Sequence, residues 1–165
     1  GINWIKIGDT KDINKYIYST KEKIKPEGVK YSREVKEGDF ILSNSMSFGK
    51  PYIMKTSGCI HDGWLLLRRK DNSISEDYLY TVLSSDFIYK FFQKETIGGV
   101  VENLNIELVK KVRIPVPPLN IQMEVSEKLD TAIFEKEELE KKAELVLRNA
   151  KKDIELILLG EDDEI

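Results

Sequence analysis

Over the first seventy positions the apolar residues come in short runs bounded by Gly, Pro or Asp, a spacing that belongs to strands and not to helices. Trp4-Ile5-Lys6-Ile7 ends at Gly8-Asp9, and Asp39-Phe40-Ile41-Leu42-Ser43 follows a Glu37-Gly38 turn. Pro51-Tyr52-Ile53-Met54 and Trp64-Leu65-Leu66-Leu67-Arg68 complete the set. Near residue 73 the period lengthens. Ser73 or Ser75 can cap a helix whose first turn carries Glu76 and Asp77, and Tyr78, Leu79, Val82 and Leu83 then share one face. A second helix from Ser85-Asp86, with Phe87, Ile88, Phe91 and Phe92, is predicted to end by Gly98-Gly99; Asn105 caps a third through about Lys111.

Ile114-Pro115-Val116-Pro117-Pro118 breaks the pattern: its prolines forbid helix and remove backbone donors, which predicts a stiff extended connector. After it, Asn120 is placed to cap a segment free of Gly and Pro until Gly160, about 39 residues or roughly 58 Å of helix. Ala132, Leu139, Ala143, Val146, Ala150 and Ile157 follow a 3-4 spacing, Lys136 and Asp153 interrupt it, and Leu129, Ile133, Leu147 and Ile154 widen it. Such a face needs a partner helix, and its alanines imply close approach of the two backbones. Glu161 to Glu164 form an acidic end predicted to fray. The expected class is α+β: a mixed, strand-rich domain with a few short helices over 1–118, followed by one long C-terminal coiled-coil-type helix over 119–165.

Charge divides the chain at the same place. Residues 1–117 hold 19 Lys and Arg against 15 Asp and Glu, a balance of +4, whereas 118–165 hold 7 against 14, a balance of −7. A mildly basic domain permits a polyanion partner, and an acidic helix permits a protein partner. With 165 residues the chain supports one core, or one plus an appendage. No apolar run approaches the roughly 20 residues of a membrane span, and Gly1-Ile2-Asn3-Trp4 lacks the layout of a signal peptide, so no membrane association and a cytoplasmic location are expected. A single cysteine, Cys59, excludes an internal disulfide framework, and a single histidine, His61, excludes a multi-histidine metal site.

Several segments carry candidate chemistry. Ser43-Asn44-Ser45-Met46-Ser47-Phe48-Gly49-Lys50-Pro51 offers hydroxyls, an amide, a glycine for close approach, an aromatic ring and a charge; it is either an ordinary polar hairpin loop or a loop touching phosphates and base edges. Lys21, Lys23, Lys25 and Lys30 interleave with Tyr16, Tyr18 and Tyr31, as suits backbone tracking along nucleic acid or a solvated loop. Thr96 to Asn105, with Gly98, Gly99 and Asn103, is a contact segment or only a C-cap followed by an N-cap. Cys59-Ile60-His61-Asp62-Gly63-Trp64 lacks a separate oxyanion loop, so His61 is a structural histidine by a turn or, with Trp64, faces a ligand, and Cys59 is a small buried apolar group.

Two enzyme motifs fail. Glu34-Val35-Lys36 fits half of a metal-dependent nuclease site, but Asp9 or Asp12 would have to supply the missing upstream carboxylate. Val116-Pro117-Pro118-Leu119 mimics the paired prolines of amino-methyltransferases without the preceding amide acceptor or the following aromatic, and no glycine-rich loop follows a strand. No catalytic residue, metal or cofactor is expected.

Together the segments 1–9, 38–53, 58–64 and 98–105, with Ile114-Pro115-Val116-Pro117-Pro118-Leu119-Asn120-Ile121-Gln122, resemble in order and spacing the specificity (S) subunits of type I restriction-modification systems, over residues 1 to about 159. Ile121 stands where that family usually has an acidic residue. The resemblance implies a non-catalytic, sequence-specific DNA-recognition module for one half of a bipartite double-stranded target. Such a module directs a methyltransferase subunit and, through it, a restriction subunit. It also implies a half-length or truncated subunit, since the usual one carries two recognition domains held apart by two long antiparallel helices. The DNA contacts expected on this basis are Lys21, Lys23, Lys25, Ser43, Asn44, Ser45, Ser47, Lys50, His61, Trp64, Gly98, Gly99 and Asn103. A homodimer is expected through Leu129, Ala132, Leu139, Ala143, Val146, Ala150, Ile154 and Ile157. The competing class is a coiled-coil interaction adaptor that does not bind DNA.

Overall fold

The fully apolar run Phe40-Ile41-Leu42 requires apolar neighbours on both sides of a strand, and the fold supplies them. The computed structural model describes residues 1–11, 13–44, 49–97 and 103–160. Its strands are β1 (Ile2–Ile5), β2 (Tyr16–Ile17), β3 (Glu22–Ile24), β4 (Arg33–Val35), β5 (Phe40–Ser43), β6 (Pro51–Met54), β7 (Gly58–Ile60) and β8 (Trp64–Leu67). Its α-helices are α1 (Glu76–Leu83), α2 (Asp86–Ile97), α3 (Ile106–Lys111) and α4 (Leu119–Leu159). The α+β class is as expected. The strands form two four-stranded sheets, ordered β3-β1-β7-β4 and β2-β6-β5-β8. In the first, β1 runs parallel to β7 and antiparallel to β3; in the second, β5 is antiparallel to both neighbours.

One core lies between the sheets: Ile5, Val35 and Ile60 of the first meet Ile17, Ile41, Tyr52, Met54 and Trp64 of the second. The other face of the second sheet is covered by helices, with Leu42, Leu65 and Leu67 against Val82, Ile88, Phe92, Leu104 and Leu108. Alternation along β5 thus sends Ile41 into one core and Leu42 into the other. Each such side chain contributes on the order of 1.5–3 kcal/mol on burial.

Helix starts follow local chemistry. The Ser75 hydroxyl accepts from the Tyr78 amide at 3.2 Å, and the Asn105 carboxamide oxygen accepts from the Leu108 amide at 3.0 Å. Two details differ from expectation. Ile7–Thr10 is a 3₁₀ turn and not the end of a strand, because the Asp9 carboxylate accepts from the Lys6 amide at 2.8 Å and folds the chain back. Asn120 is not the cap of the long helix; α4 begins at Leu119, and the Pro118 carbonyl already accepts from the Ile121 and Gln122 amides. The predicted end of the second helix at Gly98-Gly99 lies outside the described residues.

Contacts divide the chain into two units, Gly1–Val125 and Ser126–Ile165. Within the first, Gln122 is fully buried. Its Oε1 accepts from the Ser75 amide at 2.8 Å, and its Nε2 donates to the Ser73 and Pro117 carbonyls at 2.9 and 2.8 Å. The Tyr78 hydroxyl donates to the Pro115 carbonyl at 3.0 Å. A proline-rich connector with few donors of its own is thereby held by side chains on either side of it.

Ion pairs fix the strand ends. Arg68 donates from Nε and Nη2 to the two carboxylate oxygens of buried Asp39 at 2.6 and 2.5 Å, and the Lys36 amide donates to the same carboxylate at 2.9 Å. Burial would raise the Asp39 carboxyl, but the Arg68 guanidinium and the Lys36 amide outweigh it and hold it below the usual range. At the start of α1, Asp77 accepts from the Tyr16 hydroxyl and pairs with Lys15, both at 2.8 Å, while Glu76 joins Lys55 at 3.1 Å to Arg69 at 2.8 Å. Burial and the bond to Asp77 push the Tyr16 phenol up to about 12.

Gln122→Ala is expected to lower unfolding free energy by about 2–3 kcal/mol, because it strands one buried amide and two carbonyls; chemical denaturation measures it. The lowered Asp39 carboxyl contributes stability that is complete above its unfolded value of about 3.9 and is lost as pH falls through its folded value. The thermal midpoint is therefore expected to hold steady above about pH 5 and to fall below about pH 4. Asp39→Asn should lower it at neutral pH and flatten that acid limb.

Candidate nucleic-acid interface

Three of the segments singled out in the sequence meet at Asn44. The Asn44 amide donates to the Gly63 carbonyl at 3.0 Å, its side-chain Nδ2 donates to the Asp62 carbonyl, and its own carbonyl accepts from the Leu104 amide at 3.0 Å. The end of β5, the turn after β7 and the segment before α3 are thus tied to one residue.

The turn on the near side of the loop is equally constrained. Ser43 is fully buried; its hydroxyl accepts from the Lys50 amide at 3.1 Å and its carbonyl from the Gly49 amide at 2.8 Å. Gly49 has φ +72°, and a Cβ there would meet the Phe92 ring at 2.9 Å, so both conformation and space demand glycine. Lys50 is exposed, with its Nζ 5.2 Å from the Tyr52 ring centroid. Ser45 and Ser47 lie outside the described residues, as do Gly98 and Gly99; Asn103 is exposed.

His61 follows β7 and is partly exposed. Its Nδ1 accepts from the Gly63 amide at 2.8 Å, which leaves the proton of the neutral ring on Nε2 as a donor. A Cβ at Gly63 would come within 2.3 Å of the ring, so the glycine is what lets this bond close. His61 lies 5.9 Å from the Trp4 ring, and these two line a cleft of about 450 Å³ with Tyr31, Arg33 and Asp62. Guanidinium, imidazole N–H, phenol and carboxylate together offer donors and acceptors of the kind that contact phosphates and base edges.

Register places further cations at the same end of the first sheet. Ile5 pairs with Ile60, Ile60 with Arg33, and Trp4 with Glu22, so Lys6, His61, Arg33 and Lys21 stand at neighbouring strand ends. The Asp9 carboxylate gathers two of these strands, accepting from the Lys6 and Lys21 amides. Lys6 itself is paired with Glu22 at 2.6 Å. Lys23 lies opposite Asn3 and Lys25 beyond it, so of the three lysines Lys21 is the one at the His61 end of the sheet.

Two expected contacts are interior. Trp64 is 1% exposed; its Nε1 donates to the Ile5 carbonyl at 3.2 Å and its ring stands edge-on to Tyr52. Ser43 holds the base of its loop from the inside, as described. Both belong to the core because strand alternation turns them inward, a direction the loop-like composition around them hides. Arg33, Asp62 and Trp4 were missed as candidates, and the signal available for Arg33 was its place two residues after Tyr31, which is 82% exposed with Lys30 Nζ 4.8 Å from its ring. Cys59 is fully buried within β7, opposite Trp4 and Glu34, and so is closed to an external electrophile. Among the described residues no group of three or more His, Cys, Asp or Glu is placed to hold a metal ion, and no helix is long and apolar enough to cross a membrane.

Comparison with known proteins fits this architecture. A chain solved in a study of complex assembly and conformational transition of the type I R-M system aligns with a TM-score of 0.56 at 20% identity, over 96% of this chain and 36% of that one. The HsdS subunit from Thermoanaerobacter tengcongensis aligns with a TM-score of 0.53 at 19% identity, over 79% of this chain and 29% of that one. The chain thus spans about a third of the length of these two proteins, which share its fold. The family model of the type I restriction modification DNA specificity domain matches residues 1–148, and the chain belongs to that family.

Proposed function

We propose that the chain reads one half of a bipartite double-stranded DNA target in the cytoplasm, as the specificity subunit of a type I restriction-modification complex. It directs a methyltransferase subunit and, through it, a restriction subunit, and catalyses neither reaction itself. The recognition domain is residues 1–118 and the assembly helix 119–165. The observation that carries the reading is the convergence on Asn44 of three polar segments beside a sheet end bearing Lys21, Arg33 and His61. Phosphate contacts from the lysines and Arg33 would set position, and the Asn44–Lys50 loop with His61 would supply base contacts. The exposed seam of α4 supports a homodimer, which would reproduce by two-fold symmetry the two-domain arrangement of longer subunits.

Electrophoretic shifts at two salt concentrations, with and without the methyltransferase subunit, test this. Binding by the chain alone should be weak and salt-dependent, and should become specific when the methyltransferase subunit is added. Lys21→Ala and Arg33→Ala should each reduce the slope of log affinity against log salt by about 0.9 per lost phosphate contact. A coiled-coil adaptor would give no shift under any of these conditions.

Reading and folding should separate within the loop. Lys50→Ala is expected to change stability by less than about 0.5 kcal/mol, while loss of a base contact lowers discrimination by about 1–3 kcal/mol. Asn44→Ala should lower stability by about 0.5–1.5 kcal/mol, because its side chain also braces the Asp62 turn. Thermal melts and competition binding on the same variants measure both quantities.

A further inference from the structure

The seam of α4 from Leu129 to Ile157 lies wholly within Ser126–Ile165, and Leu139, Val146 and Ile157 on it are each more than half exposed. Written as a heptad repeat, one core position falls on Leu129, Lys136, Ala143, Ala150 and Ile157, the other on Ala132, Leu139, Val146, Asp153 and Gly160. Each of the two charges in this seam is a liability against an apolar partner and an asset against its opposite.

We propose that two copies of α4 pair antiparallel about a two-fold axis between Glu144 and Leu145, in the register that sets Lys136 of each copy against Asp153 of the other. This rests on the homodimer reading above and adds its geometry. Once Lys136 meets Asp153, every other layer is fixed by symmetry: Leu139 meets Ala150, Ala143 meets Val146, and Ala132 meets Ile157. Each of these three layers pairs one alanine with one branched side chain, so the helices keep a close spacing through them, and at the end of the seam Leu129 meets Gly160. Ile133, Leu147 and Ile154 flank the seam on one side, and antiparallel pairing lays that flank of one copy along the same flank of the other. Lys136 also reaches Glu140 on its own helix at 3.1 Å, which its three donors allow alongside Asp153.

The alternatives place charges badly. A parallel pair in register would set Lys136 on Lys136 and Asp153 on Asp153, and would lay the apolar flank against Glu135, Lys142 and Asn149. Sliding the antiparallel pair by one heptad sets Lys136 against Val146 or Gly160 and Asp153 against Leu129 or Ala143. Of these self-pairings, the antiparallel one with Lys136 against Asp153 is the one that sets both seam charges against their opposites.

Sedimentation equilibrium of the full chain tests the register, with circular dichroism showing that each variant keeps its helix. The chain should be dimeric at tens of micromolar. Lys136→Asp and Asp153→Lys should each weaken the dimer by about tenfold or more, since each creates two like-charge layers. An equimolar mixture of the two variants should dimerise as well as the original chain, because both layers are then complementary. Leu139→Asp should abolish the dimer. Single variants as tight as the original chain, or a mixture no better than its components, would overturn the register while leaving the dimer standing. A chain monomeric at tens of micromolar, or a dimer that survives Leu139→Asp, would overturn the homodimer reading and the register with it.

Discussion

β5 is the constraint on which the rest of Gly1–Val125 depends. With β6 beside it, it forms the centre of the second sheet, with a hydrogen-bonded neighbour on each side, the first sheet over one face and helices over the other, and Phe40, Ile41 and Leu42 are all fully buried. A strand held so completely has no freedom to slip in register, since a shift of one residue would exchange the contents of the two cores. The consequence for the candidate interface is direct. Asn44 follows the end of this strand, so the residue that gathers three loops is positioned by a strand buried on both faces. Contact residues on loops gain their precision in this way, from a rigid scaffold at the root of the loop.

What was legible in the sequence follows the same physics. The apolar strands β5, β6 and β8 and the capped helices α1 and α3 stand out because burial on both faces, or a Ser or Asn at the cap, leaves a strong local mark. β3 and β4 were not legible: Glu22-Lys23-Ile24 and Arg33-Glu34-Val35 are edge strands, and edges carry charge for reasons of solubility that make them look like loops. β2 and β7 are only two and three residues long, too short for alternation to register. At the candidate site, the polar segments around Asn44, His61 and Asn103 were legible as separate pieces; their junction was not, because the hydrogen bonds that join Asn44 to Asp62, Gly63 and Leu104 use backbone partners that any residue could supply.

The balance of +4 over residues 1–117 proved a poor guide to where positive charge is available. Lys15, Lys55, Arg68 and Arg69 are paired with Asp77, Glu76, Asp39 and Glu76 around the ends of β5, β6 and α1, where they fix the fold. Lys6 is paired as well. The field that a polyanion would meet is therefore set by placement and not by the count: Lys21 and Arg33 at neighbouring strand ends, with Lys50 on the loop. A modest net charge with this distribution favours positioning contacts over strong non-specific adhesion, the balance a reader of sequence needs when most sites it meets are wrong ones.

Gln122 shows why the proline segment and the start of the long helix belong together. Prolines make the connector stiff but leave its carbonyls without local partners, and an extended segment of that kind has no ladder to hold it. A carboxamide is the side chain that can answer in both directions, accepting from the Ser75 amide with one atom while donating twice from the other to Ser73 and Pro117. A carboxylate in the same buried position would face two carbonyl oxygens with no proton to offer, and an apolar residue would leave all three backbone groups unpaired. The requirement for glutamine three residues into the helix is thus a consequence of the prolines before it, and the two features constitute one joint.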